Sequence, residues 1–343
     1  MQMPSILGMN LVGPNRGELG VEGYVTTIAI LTENGIPNPH QRSPSPPLSE
    51  KLAIPPSFTQ KSYLDPDFVP RHLNKISQES IILGGGAAAI LLQVANPAVG
   101  AGVHEHSNFA HRVPDRLRST MTYIYCMSFG TPQEKQRLAD MITRVHVGVR
   151  GTVTEGTDGK EGKKTYSALD PHLQLWVAAT LYAVAINIYQ RAFGPDAIAD
   201  EDEHERIYAE YAILACALQV PPEMWPKTRA DFWRYWDREV KRLVVTSHAR
   251  AVARDLLSLK QAPWYLRLFL PAVRVVTAEW LPPRIREAYG CKRHPRAYRF
   301  LEMTVRAIYP ALPTRFRTWP VRLYLGDMRR RMARNHAVVG KEA

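Results

Sequence analysis

Cysteine is scarce: Cys126, Cys216 and Cys291 are the three among 343 residues, too few for a disulfide scaffold, and at least one must stay unpaired. No CxxC pair occurs, so a cysteine-held zinc or iron–sulfur centre is not expected, and a reducing, intracellular compartment fits. A basic n-region is missing from the first fifteen residues, whose short apolar run is broken by Pro4, Gly8 and Asn10, so no secretory peptide is expected. Long alternating strand patterns, a Gly-rich phosphate loop, a GxSxG elbow, an HExxH pair and internal repeats are also absent. These absences argue against phosphate-loop nucleotide enzymes, serine hydrolases of the elbow type and helix-borne zinc peptidases.

Acidic residues are thin in one place only. The net charge is +12, yet residues 284–343 hold 15 basic residues against Glu287, Glu302, Asp327 and Glu342. There the charge alternates with Trp319, Leu323, Tyr324, Leu325 and Met328, a pattern suited to a helix on a lipid interface or on the protein's own core. A solvated basic face is the plainer alternative. No nucleic-acid motif accompanies the charge, so peripheral membrane contact is the partner this segment suggests. At the other end, Pro37, Pro39, Pro44, Pro46, Pro47, Pro55 and Pro56 mark residues 1–70 as an arm and linker.

Residues 81–103 carry no charge and are long enough to span a bilayer. Gly84-Gly85-Gly86, Gln93, Asn96 and Pro97 favour a closely packed buried core helix over a single span. Helical spacing then dominates. A helix is expected from Val113 to Phe129; another begins at Thr131, with Pro132 at its first position and Glu134 completing a capping box, and is stopped by Gly151. Leu173 to Phe193 is apolar on nearly every side and must be central. An amphipathic helix over Glu201–Gln219 follows, then a helical region from Ala230 to Leu259 broken near Thr246-Ser247. The fold class is all-α.

Among eleven histidines, His146 stands at the edge of the apolar stripe of the capped helix, with Arg150 four residues on. A neutral imidazole on such a face suits an axial ligand for haem iron, and a guanidinium one turn away suits a propionate; more often such a residue is a core histidine bonded to a carbonyl. Arg116, Thr120 and Tyr123 recur on one face of the preceding helix and either line the distal side of a cofactor or serve as surface charge and core. His104, His106 and His111 cluster between helices, where His106 supplies a proton or closes a pocket, or the three lie in an exposed loop. Glu201-x-x-His204 is half of a di-iron pattern without its second copy.

Four ordered segments carry a resemblance: GGGAAAILLQVANPAVGAGVHEHSNF (84–109), DRLRSTMTYIYCMSFGT (115–131), RVHVGVRG (144–151) and YSALDPHLQLWVAATL (166–181). Together they resemble the MpaB-like oxygenases, which include the catalytic domain of the latex-clearing rubber oxygenases. The likeness implies a single globin-like helical domain over 71–283 holding haem b through one histidine; it says little about 284–343, which its own charge and apolar pattern mark as a basic helical extension on the domain or on a membrane surface. It implies His146 as iron ligand with Arg150 beside it, and Arg116 and Thr120 as matches to an arginine and a threonine of the distal helix; taken with the spacing of these residues, Tyr123 is expected near the cofactor and Arg116, Thr120 and His106 as catalytic residues. The implied reaction uses dioxygen to cleave a carbon–carbon double bond of an apolar, isoprenoid-type or natural-product substrate. Ser119 stands where rubber oxygenases carry a distal lysine, and Asn96 and Ala178 where many relatives carry histidine, so those groups are not required here. The alternative is a non-catalytic haem- or lipid-binding protein on the same fold, and more distantly a membrane-surface scaffold without cofactor. The expected location is cytoplasmic or at a membrane surface.

Overall fold

Small residues, caps and one asparagine shape the helices of this chain. The structure, a computed structural model, describes residues 68–106, 109–153, 163–258 and 267–342. The arm and linker up to residue 67 lie outside the described residues, as do the side chains of 109–113, His111 among them, and of 335–342. Helices α1 (His72–Ser77), α2 (Gly86–Val94), α3 (Pro97–His106), α4 (Phe109–Phe129) and α5 (Pro132–Gly148) lead to a two-stranded ribbon, β1 (Arg150–Val153) and β2 (Lys164–Ser167). Then come α6 (Pro171–Phe193), α7 (Glu201–Tyr211), α8 (Ile213–Cys216), α9 (Arg229–Arg242) and α10 (Ser247–Ser258). The chain finishes with α11 (Leu270–Trp280), α12 (Pro283–Ala288), α13 (Pro295–Ile308), α14 (Thr314–Arg317) and α15 (Trp319–Glu342). The all-α expectation holds.

The uncharged run over 81–103 is not one buried core helix, nor one straight span. A 3-10 turn at Ser80–Gly85 runs into α2, and the axis then bends by 108° into α3. Asn96 makes the bend: its side-chain oxygen accepts from the backbone N–H groups of Ala98 at 3.1 Å and Val99 at 3.4 Å, capping α3, with Pro97 opening it. Carbonyls at the end of α2 find partners elsewhere. Leu91 accepts from the Tyr289 hydroxyl at 2.8 Å, Leu92 from the Trp176 indole at 3.2 Å, and Ala95 from the Val244 N–H at 2.9 Å. Small residues let α2 lie close to α6, and a Cβ at Gly85 would strike Ile188, Val184 and Trp280.

Helix α6 is the axis of the molecule, as its all-round apolarity demands. Tyr182 is fully buried, with its ring centroid 5.2 Å from those of Tyr208 and Tyr211 and 4.8 Å from that of Phe232. Among the described residues α6 is the one single helix long and apolar enough to cross a bilayer, and 72% of that window is buried inside the fold. The capping box at Thr131 is present, Thr131 and Glu134 exchanging bonds at 3.2 and 2.9 Å.

Two helix boundaries need correction. The expected Glu201–Gln219 helix divides into α7 and α8, with Ala212 still helical in φ and ψ between them. More consequentially, α5 stops at Gly148 rather than at Gly151: Val149 is extended and Arg150 opens β1, paired with Ser167 of β2. Arg150 therefore leaves the helix face it was expected to share with His146. Gly at 148 and β-branched residues after it favour this exit. Gly151 instead permits close packing, since a Cβ there would lie 2.7 Å from the Tyr166 hydroxyl. The break expected near Thr246-Ser247 is present, with Thr246 Oγ1 accepting from the Ala249 N–H at 3.3 Å. The basic extension closes on the fold: Leu325 and Met328 of α15 are core residues, and the Tyr324 ring meets that of Tyr125 at 5.8 Å.

Candidate functional site

The α4–α5 hairpin is the frame of the site. At its open end α5 carries His146, whose side chain is half-buried while its Nδ1 is fully buried and has no hydrogen-bond partner. Burial, reinforced by the nearby Arg116 guanidinium of α4, pushes the imidazole down to about 4, so it is neutral at physiological pH. A neutral imidazole with one ring nitrogen unspent can accept from, donate to or ligate a group placed beside it. Among the described residues no three His, Cys, Asp or Glu side chains converge as a metal site.

One helical face was expected to bring Arg116, Thr120 and Tyr123 together. The fold separates them. Arg116 acts on His146. Thr120 is exposed and lies at the wall of a groove between α2, α4 and α6. Tyr123 turns into the core, its hydroxyl donating to the Leu214 carbonyl at 2.9 Å, and burial raises its pKa far above the usual phenol range. Its polar end is thus already used.

His106, at the end of α3, places Nε2 3.2 Å from the Arg150 carbonyl; that nitrogen carries the proton, because a carbonyl only accepts. Beside it the Tyr166 hydroxyl donates to Glu105 at 2.6 Å. His106 and Arg150 therefore meet through backbone, next to the turn leaving His146, while the Arg150 side chain is exposed. His104 stacks on His248 of α10 with ring centroids 4.8 Å apart, and His248 Nδ1 is also buried without a partner.

The groove contains about 690 Å³ of free space, including its open mouth. Gly86, Ala89 and Ile90 of α2 face Leu117, Met121 and Ile124 of α4 across it, with Leu181 and Val184 of α6 as its floor. Gln93 is the residue that sequence reasoning passed over. Its amide donates to Thr180 Oγ1 at 2.8 Å, which in turn donates to the Val177 carbonyl at 2.7 Å, leaving the Gln93 side-chain oxygen as an acceptor in an apolar wall. A lone glutamine inside an uncharged run was the available signal. The lining is almost wholly apolar, with Thr120 and Gln93 among its few polar side chains.

Comparison with known proteins follows the same outline. The profile of the family described as "ER-bound oxygenase mpaB/B'/Rubber oxygenase, catalytic domain" matches residues 74–309. Two mycobacterial relatives, the uncharacterized proteins Mb2261 of Mycobacterium bovis and Rv2237 of Mycobacterium tuberculosis, are each 31% identical over 263 residues, covering 74% of this chain and 98% of their own. No solved structure matches.

Proposed function

The chain belongs to the MpaB/rubber oxygenase catalytic-domain family, and from that premise we propose that it is a haem b-dependent oxygenase cleaving a carbon–carbon double bond in an apolar, isoprenoid-type chain. The observation that carries this reading is His146: neutral, with a buried nitrogen lacking any partner, on the seam that also holds Arg116. A single neutral imidazole with an unspent ring nitrogen fits a porphyrin, which would bring its own donors to the iron. The residues present fit that group.

His146 would hold the haem iron through its imidazole, and Arg116 and Arg150 would offer positive charge to its propionates. When bound, the haem supplies the activation of dioxygen that protein side chains cannot provide. The chain's own contribution is geometric and electrostatic. Burial keeps His146 unprotonated and hence a competent donor. Arg116 places positive charge on the seam beside His146, where it disfavours protonation of the imidazole. Thr120, at the groove wall, offers a hydroxyl that orients a polar atom beside the olefin. The Gln93 carbonyl oxygen and the apolar walls set the register of the chain and exclude water. The overall reaction balances without an external reductant: one dioxygen is consumed, both bonds of the alkene break, and each carbon receives one oxygen as a carbonyl.

Purified protein tests this directly. Its absorption spectrum, a pyridine haemochrome assay and an iron count should report haem, and oxygen-18 gas with a polyprenyl substrate should label both carbonyl ends. Folded, colourless protein that cannot be reconstituted with hemin defeats the proposal. Haem present without labelled product points to the carrier instead.

A further inference from the structure

The surface formed by α13, α14 and the start of α15 exposes apolar residues that the fold leaves uncovered. Phe300 is 68% exposed and Met303 62%; Ile308, Phe316, Trp319 and Leu323 are also exposed. Single exposed apolar side chains are ordinary, but seven within 24 successive positions, Leu312 included, are not. At 100° per residue, Tyr298, Leu301, Glu302 and Val305 share the inner side of α13, where Tyr298 is buried and all four line a half-open pocket against α6 and α11. Phe300, Met303 and Arg296 fall on the opposite side. Trp319 and Leu323, one turn apart on α15, point away from the buried Leu325 and Met328.

Cations border this ridge. Arg296, Arg299, Arg306, Arg315 and Arg322 are exposed, and among the described residues none has a carboxylate at ion-pair distance. Arg315 lies over the Phe316 ring at 4.9 Å, and Arg322 donates to the Arg315 carbonyl at 3.0 Å. The acid of this helix is turned inward, Glu302 pairing with Arg191 at 2.7 Å. The surface is thus apolar at its crest and purely cationic at its flanks.

We propose that this surface docks the protein on an anionic lipid bilayer, the crest entering the headgroup region and the arginines lying at phosphate level. Charge complementarity selects this occupant. A second copy meeting the same face would set arginine against arginine. A nucleic acid or an acidic soluble protein would use the guanidinium groups but leave Phe300 and Met303 in water. Only an anionic membrane rewards both features, apolar burial at the interface and attraction to its surface potential. The inference does not depend on the oxygenase reading, and vesicle binding would survive the failure of that reading.

The test uses the full chain and sedimenting vesicles, either pure phosphatidylcholine or with about 30% phosphatidylserine, near 0.1 M salt. Binding should favour the anionic vesicles by at least roughly tenfold and disappear toward 1 M salt, where the screening length falls to about 3 Å. Arg296→Gln, Arg299→Gln and Arg306→Gln should each weaken binding by about fivefold. Phe300→Ser with Trp319→Ser should abolish it while circular dichroism stays unchanged. Should that pair unfold, brominated lipid decides instead: quenching in the parent protein must exceed that in Trp319→Phe. Equal binding to neutral vesicles, no binding at all, or a concentration-dependent dimer dissolved by Phe300→Ser would each overturn the proposal.

Discussion

At the tip of the α4–α5 hairpin, polar groups answer one another. Thr131 and Glu134 cap each other's backbone, and Glu134 takes a two-pronged pair from Arg329 of α15 at 2.7 and 3.1 Å. At the open end of the same hairpin, a buried nitrogen of His146 has no partner, the helix stops early, and Thr120 faces a groove rather than a neighbour. Local bonds close the tip, and Arg329 extends it to the C-terminal helix. The open end leaves the His146 nitrogen without such a bond. On the proposed reading, stability belongs to one end and ligand chemistry to the other, along a single pair of helices.

Substitutions can break that division. His146→Ala should have the largest effect: haem content falls more than about tenfold and oxygenase activity drops to background, while the thermal midpoint holds or rises because an unsatisfied buried nitrogen is gone. A pyridine haemochrome assay beside a melting curve reads both, and unchanged haem content would remove His146 from its role. Thr120→Val should come next, lowering turnover by roughly tenfold with haem retained, as fits a hydroxyl that orients reactants rather than holding the cofactor.

At the tip the pattern should invert. Glu134→Gln should leave haem content and turnover alone and cost about 0.5–1 kcal/mol near neutral pH through loss of the Arg329 pair. The Arg329 guanidinium, bonded to the Glu134 carboxyl, holds it below the usual carboxylate range. Its contribution is therefore present above the unfolded carboxyl's pKa, near 4.5, and is lost as pH falls through the lower folded value. Below that point parent and Gln variant should converge in a pH series of denaturant melts. The smallest effect is expected from Arg150→Ala. Its side chain is exposed and His106 uses its backbone carbonyl, so haem loss should be slight and smaller than for Arg116→Ala.

Much of the fold could be read locally. The capping box at Thr131, the central α6 and the interruption near Thr246 rest on signals within a few residues of each other, and each appears where expected. Asn96 was legible as an interruption but not as a cap, because capping needs the chain to turn there, and that turn depends on Val244, Trp176 and Tyr289 receiving the carbonyls of α2. Arg150 was misplaced for a related reason. Helical spacing continues through Gly148 on paper, but pairing with Lys164–Ser167, distant in sequence, draws the chain into a strand. Tyr123 shares a helical face with Arg116 and Thr120, yet Leu214, 91 positions away, takes its hydroxyl.

Periodicity, caps and composition were sufficient for the helical class and the position of α6, and four ordered motifs carried the resemblance to the family, because these depend on short-range spacing and residue order. Packing alone decided that His146 is neutral with an orphaned nitrogen, that Thr120 borders a groove while Tyr123 does not, and that the basic extension presents an uncovered apolar crest. Desolvation, charge proximity and solvent exposure are properties of neighbours in space, and those neighbours lie dozens to hundreds of positions apart along the chain.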